Sequence, residues 1–377
     1  MSETTSITKI YDEEIAKAYL SEEVAAALPT VIEYRSNMSK ARRKKTPVIL
    51  TSCIFEIPTF YQQTLAQKRF LLMDFFLKRG AERVIVYSTD QQMHLLFSNK
   101  TIFIDGTFST APNGFNQVFL IHVQEFGQGV PVAFCLLPNR RAATYIELFR
   151  RFKHEAILMN KQFQPQHVVS DFESALISAI RQEFPGTKHS GCLFHFIQCV
   201  HRKIIELGLG ADYAQVLAIR QQCKQLMALS LMPIYQVEQQ FKRIRDTSSS
   251  SLDDLFVYFD HQWINGTIPL FMWNSYELDH RTNNISEAYN RRFATRILKK
   301  HPNIWSFIQL IQNENVRLEH LIIQLAAGAS CSKPTARTTA FQRRFQTLKS
   351  RFDNGEIEGK QLLNGLALLL GSHKKKN

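Results

Sequence analysis

The sequence predicts an α/β fold in which a run of strands precedes alternating helices and strands, and three observations carry that prediction. Short turns separate three strand-like stretches between residues 101 and 137, a segment of helical period follows them, and two further short strands each lead into an amphipathic helix. The 377 residues are 45% hydrophobic and 21% charged, with 28 Phe against 15 Gly and 12 Pro, which supports a sizeable packed core and excludes a disordered or collagen-like chain.

Taken in order, residues 1–45 read as a mobile polar arm ending in the basic run at 40–45, and 46–100 as an N-terminal α/β lead-in segment. Within the lead-in, the pattern predicts a strand at 48–57, a helix from about Thr64 closed by Gly80, a strand at 83–88 and a short helix from Asp90. The core is expected over 101–298. Its first strand, 101–108, is interrupted by one acid, Asp105, and the turn Pro112-Asn-Gly114 leads to a second strand at 117–123. Gly127-Gln-Gly129 leads to a third at 130–137, and the helix at 142–160 places Tyr145, Leu148, Phe149 and Phe152 at helical spacing. A buried strand then ends in Asp171, a helix spans about 173–184, a strand lies at 189–193 and a helix at 194–206. With a right-handed crossover placing the fourth strand parallel beside the first, the order β-β-β-α-β-α-β-α is ribonuclease H-like. A helical insertion at about 208–270 precedes a helix at 282–298, and 299–377 reads as a basic helical C-terminal region.

A carboxylate inside an apolar strand is costly unless it is paired or binds a cation, which singles out Asp105. The inferred topology brings Asp171 to the neighbouring strand end, and Glu287 on the helix after the insertion is the best-placed third acid. Hard oxygen donors of this kind suit Mg²⁺ or Mn²⁺, and paired ions serve phosphoryl transfer by activating the attacking oxygen and stabilising the leaving one. Each acid also has a local reading. Asp105-Gly106 fits a strand-end turn, Asp171 fits a helix N-cap, and Glu287 stands three residues after Asn284 as in a capping box.

Four blocks occur in order: Asp105-Gly-Thr-Phe108, Ser170-Asp-Phe-Glu173, Gly191-Cys-Leu-Phe-His195 and Thr282-Asn-Asn-Ile-Ser-Glu287. Together with Thr110-Ala-Pro112, Arg202-Lys203 and Trp273-Asn274, they resemble the Mutator-like element (MULE) transposase domain family across roughly residues 45–325. That resemblance implies a DDE-type ribonuclease H-like core with a helical insertion before the last acid. It makes Asp105, Asp171 and Glu287 the catalytic, metal-binding triad and implies Mg²⁺-dependent hydrolysis and strand transfer at element ends in DNA. Two departures stand out. Asn290 occupies a position where family members often carry His, and residues 1–100 hold a single cysteine, Cys53, so an N-terminal zinc finger of the FLYWCH type is not expected.

Cys192 and His195 form a C-x-x-H element, read either as half of a structural Zn²⁺ site completed by residues such as His201 or His280, or as a buried thiol and a hydrogen-bonding imidazole. Trp273 is read as a base-stacking or a core residue. The net charge is +13, and from Arg281 onward 17 basic residues face 6 acidic ones, a net of +11. Such asymmetry fits a phosphate-rich partner, with Arg291, Arg292 and Arg296 as candidate DNA contacts beside Glu287. The six cysteines are expected to be reduced thiols, and no apolar run approaches 18 residues, so neither a membrane span nor a secretory signal is expected. The expectation is therefore a DNA-binding transposase of this type, self-associating on paired ends and nuclear in a host with a nucleus. A non-catalytic DNA-binding or chromatin regulator on the same scaffold, and a structure-selective nuclease, are its alternatives.

Overall fold

The computed structural model describes residues 6–45, 54–77, 82–278, 284–297, 300–329 and 335–370, with side chains at 42–45, 284, 285, 287 and 288 excluded. In chain order the elements begin with α1 (Ile7–Ala18), α2 (Glu22–Ala27) and α3 (Val31–Lys45), then β1 (Leu71–Phe76), β2 (Arg83–Tyr87) and α4 (Asp90–Ser98). Next come β3 (Thr101–Thr107), β4 (Gln117–Glu125), β5 (Gln128–Leu137), α5 (Ala142–Leu158), β6 (His167–Ser170), α6 (Ser174–Glu183), β7 (Lys188–Gly191) and α7 (Leu193–Glu206). The remainder is helical: α8 (Gly210–Gln215), α9 (Leu217–Ala228), α10 (Ile234–Asp246), α11 (Asp253–Phe259), α12 (Leu270–Trp273), α13 (Asn284–Thr295), α14 (Ile304–Ala326), α15 (Ala336–Asp353) and α16 (Gly359–Leu369). The sheet is seven-stranded and mostly antiparallel, in the order β1-β2-β5-β4-β3-β6-β7. Among the described residues no helix is long and apolar enough to cross a membrane.

The chain divides into two compact units, the first made of Met1–Ser98, Asp105–Phe163 and Ser286–Ser330. Here β4 and β5 form a hairpin paired from Gln117↔Leu137 to Glu125↔Gln128, and its turn uses Phe126 and Gly127 at positive φ, as a tight hairpin requires. β2 pairs antiparallel with β5 and β1 with β2, extending the sheet beyond the hairpin. Arg83 is buried in β2 and is held by Asp74 of β1 through Nε at 2.6 Å and Nη2 at 2.5 Å, a forked pair that satisfies a charge the core would otherwise exclude. α5 packs Tyr145 and Phe149 on Phe119 of β4. α14 is capped by Asn303, whose Oδ1 accepts from the Ser306 N–H, and buries Trp305, Phe307, Ile308 and Ile311 with Phe70, Tyr87 and Phe134.

The second unit comprises Asn99–Ile104, Gln164–Ile285 and Cys331–Asn377. The first half of β3 pairs parallel with β6 in the register Thr101↔His167 to Phe103↔Val169, and β6 pairs parallel with β7 from His167↔Lys188 to Ser170↔Gly191. The predicted parallel placement of the fourth core strand beside the first is what forms. α7 to α12, α15 and α16 gather one apolar core in which Phe196 and Trp273 stack at 4.9 Å and Trp263 meets Phe196 edge-on at 4.8 Å. α16 opens with a capping box between Glu358 and Gln361.

Two lead-in expectations are corrected. The helix expected from Thr64 is instead β1, because Leu71 to Phe76 find an antiparallel partner in β2, and such pairing overrides a local pattern that fits either structure. Of the strand expected at 48–57, residues 54–57 carry no strand and the rest, like Gly80, lie outside the described residues. The segment read as an arm forms α1, α2 and α3.

Candidate active site

In the first unit, Asp105 follows three fully buried residues, Ile102, Phe103 and Ile104, and is itself half-buried inside β3 rather than in a turn beyond it. Its Oδ1 accepts from the Gly106 N–H at 3.0 Å and its Oδ2 from Asn290 Nδ2 at 2.6 Å. Gly106 admits a close approach: a Cβ there would stand 2.8 Å from Gln117 Oε1, whose amide donates to the Tyr145 hydroxyl at 2.7 Å.

Asn290 is delivered by α13. That helix anchors itself through Ser286, Tyr289 and Phe293, spaced to share one face and all buried. Ser286 Oγ meets His122 Nδ1 at 3.1 Å, and the Tyr289 ring sits edge-on to His122 and stacks with Phe293. Burial, reinforced by the Arg292 charge, lowers the His122 pKa to about 3, so the imidazole is neutral at physiological pH. The Oδ1 of the amide that holds Asp105 is buried with no hydrogen-bond partner. Glu287 lies on α13 three residues before Asn290; its side chain, and the predicted capping box with Asn284, lie outside the described residues.

In the second unit, Asp171 directly follows β6 and is half-buried. The N-cap of α6 is Glu173, so Asp171 is not the cap; its Oδ1 accepts from the Glu173 N–H at 3.2 Å. Ser170 Oγ sits between the Asp171 carbonyl at 2.8 Å and His189 Nε2 at 2.7 Å. Phe172 packs its ring edge-on against Trp263 at 5.1 Å and Phe196 at 6.5 Å, fixing the backbone next to Asp171. Gly191 makes room for it, since a Cβ there would lie 2.1 Å from the Phe172 ring. The last pair that β3 and β6 make with each other is Phe103↔Val169, and Asp105 and Asp171 each follow two residues later in the chain.

Cys192 is the buried N-cap of α7, and His195, one turn on, keeps a buried Nδ1 with no partner. Cys199 is held protonated chiefly by burial, with Arg202 opposing and Asp171 adding to the shift. Among the described residues no three His, Cys, Asp or Glu side chains are gathered as a metal ion would need, so Cys192 and His195 have no assembled zinc-ligand set around them. His201 packs on Tyr213, and His280 lies outside the described residues. Trp273 is wholly buried and donates to the Trp263 carbonyl at 2.9 Å, which makes it a core residue rather than a stacking platform.

Arg291 is exposed, whereas Arg292 and Arg296 both pair with Glu314 of α14, a fully buried carboxylate that the sequence reading passed over. Its signal was an acid three residues after Ile311 and four before Leu318, on the apolar face of α14.

Residues 101–199 match the family model of the MULE transposase domain. The match covers 99 of the 377 residues and supports membership of this family. No curated protein matches the chain. The MULE match begins with β3 and ends at Cys199 within α7, so it takes in Asp105, Asp171, Cys192 and His195 and stops short of Glu287 and the arginines. The match connects this stretch to transposase-related function.

Proposed function

We propose that the protein is a MULE-type DDE transposase with a ribonuclease H-like core that cleaves and transfers DNA strands. The observation that carries this reading is the match of residues 101–199 to the MULE transposase domain, a stretch that includes both Asp105 and Asp171. In this reading Glu287, on the helix that supplies Asn290, completes the triad. The donors suit Mg²⁺ or Mn²⁺: they are hard carboxylate oxygens, and the amide that holds Asp105 keeps a buried oxygen with no hydrogen-bond partner.

Asp105, Asp171 and Glu287 would hold the cation. When bound, it lowers the pKa of attacking water and stabilises the charge on the leaving oxygen. The protein's own contribution is orientation. Asn290 and the Gly106 N–H hold the two oxygens of Asp105, so its carboxylate is aimed before any substrate arrives. Phe172, locked over Gly191, does the same for the backbone that bears Asp171. Water and then a DNA 3′-hydroxyl serve as successive nucleophiles on the phosphodiester. DNA ends are the partner, paired by self-association of the chain, and the basic run at 40–45 together with this substrate makes the nucleus its compartment in a host that has one.

The test is cleavage of labelled duplexes bearing the inverted repeats that flank the coding sequence, with Mg²⁺ or EDTA, by the wild type and by Asp105→Ala, Asp171→Ala and Glu287→Ala. The expected result is cleavage with Mg²⁺ alone and none by any variant. DNA bound but left intact by the wild type would replace this reading with the regulator, and cutting without joining of paired ends would replace it with the nuclease.

A further inference from the structure

Three arginines converge on one carboxylate in the first unit. Glu314 is fully buried. Its Oε2 lies 3.5 Å from Arg292 Nη2, 3.4 Å from Arg317 Nη2 and 3.4 Å from the Tyr289 hydroxyl, while Oε1 pairs with Arg296. Among the described residues these are the ion pairs the three arginines make.

A buried carboxylate needs compensation, and one forked arginine supplies it. Three leave a local excess of two positive charges. They also bring about fifteen N–H donors to a carboxylate that takes about four. The Nε–H groups of Arg292 and Arg317 are buried and have no acceptor. The crowding is unfavourable as it stands: burial first, and then the Arg317 and Arg296 charges, lower the Arg292 pKa. Yet the cluster is open to solvent, with the side chains of Arg292, Arg296 and Arg317 41%, 38% and 33% exposed. Such a group is poised for an anion from outside.

Its place on α13 says which anion. Arg292 and Arg296 stand one turn apart on the helix whose Asn290 holds Asp105. From Asn290 to Arg296 is about 9 Å of helix, or the rise of roughly two to three nucleotides of one strand.

We propose that Arg292, Arg296 and Arg317, gathered by Glu314, clamp DNA backbone phosphates a few nucleotides from the phosphodiester presented to Asp105. This rests on the DNA-directed reading above. Glu314 is a positioning residue, and the clamp orients DNA without reading its sequence, because guanidiniums on phosphates carry no base information.

The test is the salt dependence of binding to a fluorescent duplex of arbitrary sequence, followed by anisotropy, for the wild type, Arg317→Gln, Arg296→Gln and Arg317→Lys, with Arg343→Gln of α15 as the control. Each Gln variant is expected to flatten the log Kd against log[salt] slope by about 0.9 and to weaken binding several-fold at about 0.1 M salt, alike for all sequences. Arg317→Lys keeps the charge and is expected to keep the slope. Arg296→Gln carries the test should Arg317→Gln not fold. Wild-type slopes in the Gln variants, with binding intact, would overturn the clamp alone. Absence of any salt-dependent binding by the wild type would overturn the DNA reading and the clamp with it.

Discussion

The two units bury different things. Around α13 the first keeps a neutral His122, Ser286, the Tyr289 hydroxyl and an arginine-paired Glu314 inside or against its core, each tied to a named partner. The second buries an aromatic ladder, Phe196, Phe241, Phe259, Trp263 and Trp273, and polar groups buried beside it, among them Ser230, Asn274 and the Trp273 indole N–H, are neutral and donate to backbone carbonyls. Buried polar groups cost free energy that apolar packing returns, so the difference separates a region organised to hold charge from one organised to hold the fold. Substitutions in the ladder should therefore be paid in stability, and those around α13 mainly in activity.

Trp273→Ala breaks that comparison most forcefully. It empties a fully buried site, unstacks Phe196 and leaves the Trp263 carbonyl without its donor, at an expected cost of about 3–5 kcal/mol. Urea denaturation measures it. A loss under about 1 kcal/mol would mean that the ladder is not what holds the second unit together.

Gly191→Ala is the next test, because there the packing of the second unit reaches a proposed catalytic acid. The added methyl collides with the Phe172 ring, so either the ring or the strand end bearing Asp171 must move. Overpacking of this kind costs about 1–3 kcal/mol, and cleavage should fall by more than the loss of folded protein accounts for. Adding Phe172→Leu should return stability before activity, since it relieves the clash and loosens Asp171. Full activity in Gly191→Ala would show that Phe172 does not position that acid.

The core from β3 to α7 was legible because its turns, periodicities and strand-end acids are local signals. Residues 71–76 were not. Phe70, Leu71, Leu72 and Phe75 fit a helical stripe as well as a strand, and only pairing with β2 decides between them. Asn290 was visible as a departure from the family pattern, but its bond to Asp105 joins residues 185 apart in the chain and has no local trace. Arg292 and Arg296 were legible as candidate DNA contacts, whereas Glu314, the acid that gathers them, sits twenty or so residues on in an apolar helix face.

The smallest expected effect is a pH dependence that both units share. Burial, with Arg292 adding, lowers His122 to about 3, and burial, with His167 and Arg181 adding, lowers His189 to about 4, against 6.5 for an ordinary imidazole. Below pH 6.5 the unfolded chain therefore binds protons that the folded chain refuses, and stability falls as pH falls, with the loss ending once each folded pKa is passed. By pH 5.5 each histidine should cost about 1 kcal/mol relative to pH 8. Urea midpoints between pH 8 and 5.5 for His122→Gln and His189→Gln separate the two contributions, each variant flattening its own share of the slope. Over this window each share is set by the unfolded pKa as long as the folded pKa stays well below 5.5. Burial is the first cause of both shifts and the Arg292 charge the second at His122, so Arg292→Gln should leave both shares in place. A His122 share that shrinks in Arg292→Gln would mean that the arginine charge, and not burial, keeps that imidazole neutral, and would set the interior around α13 apart from the one around His189.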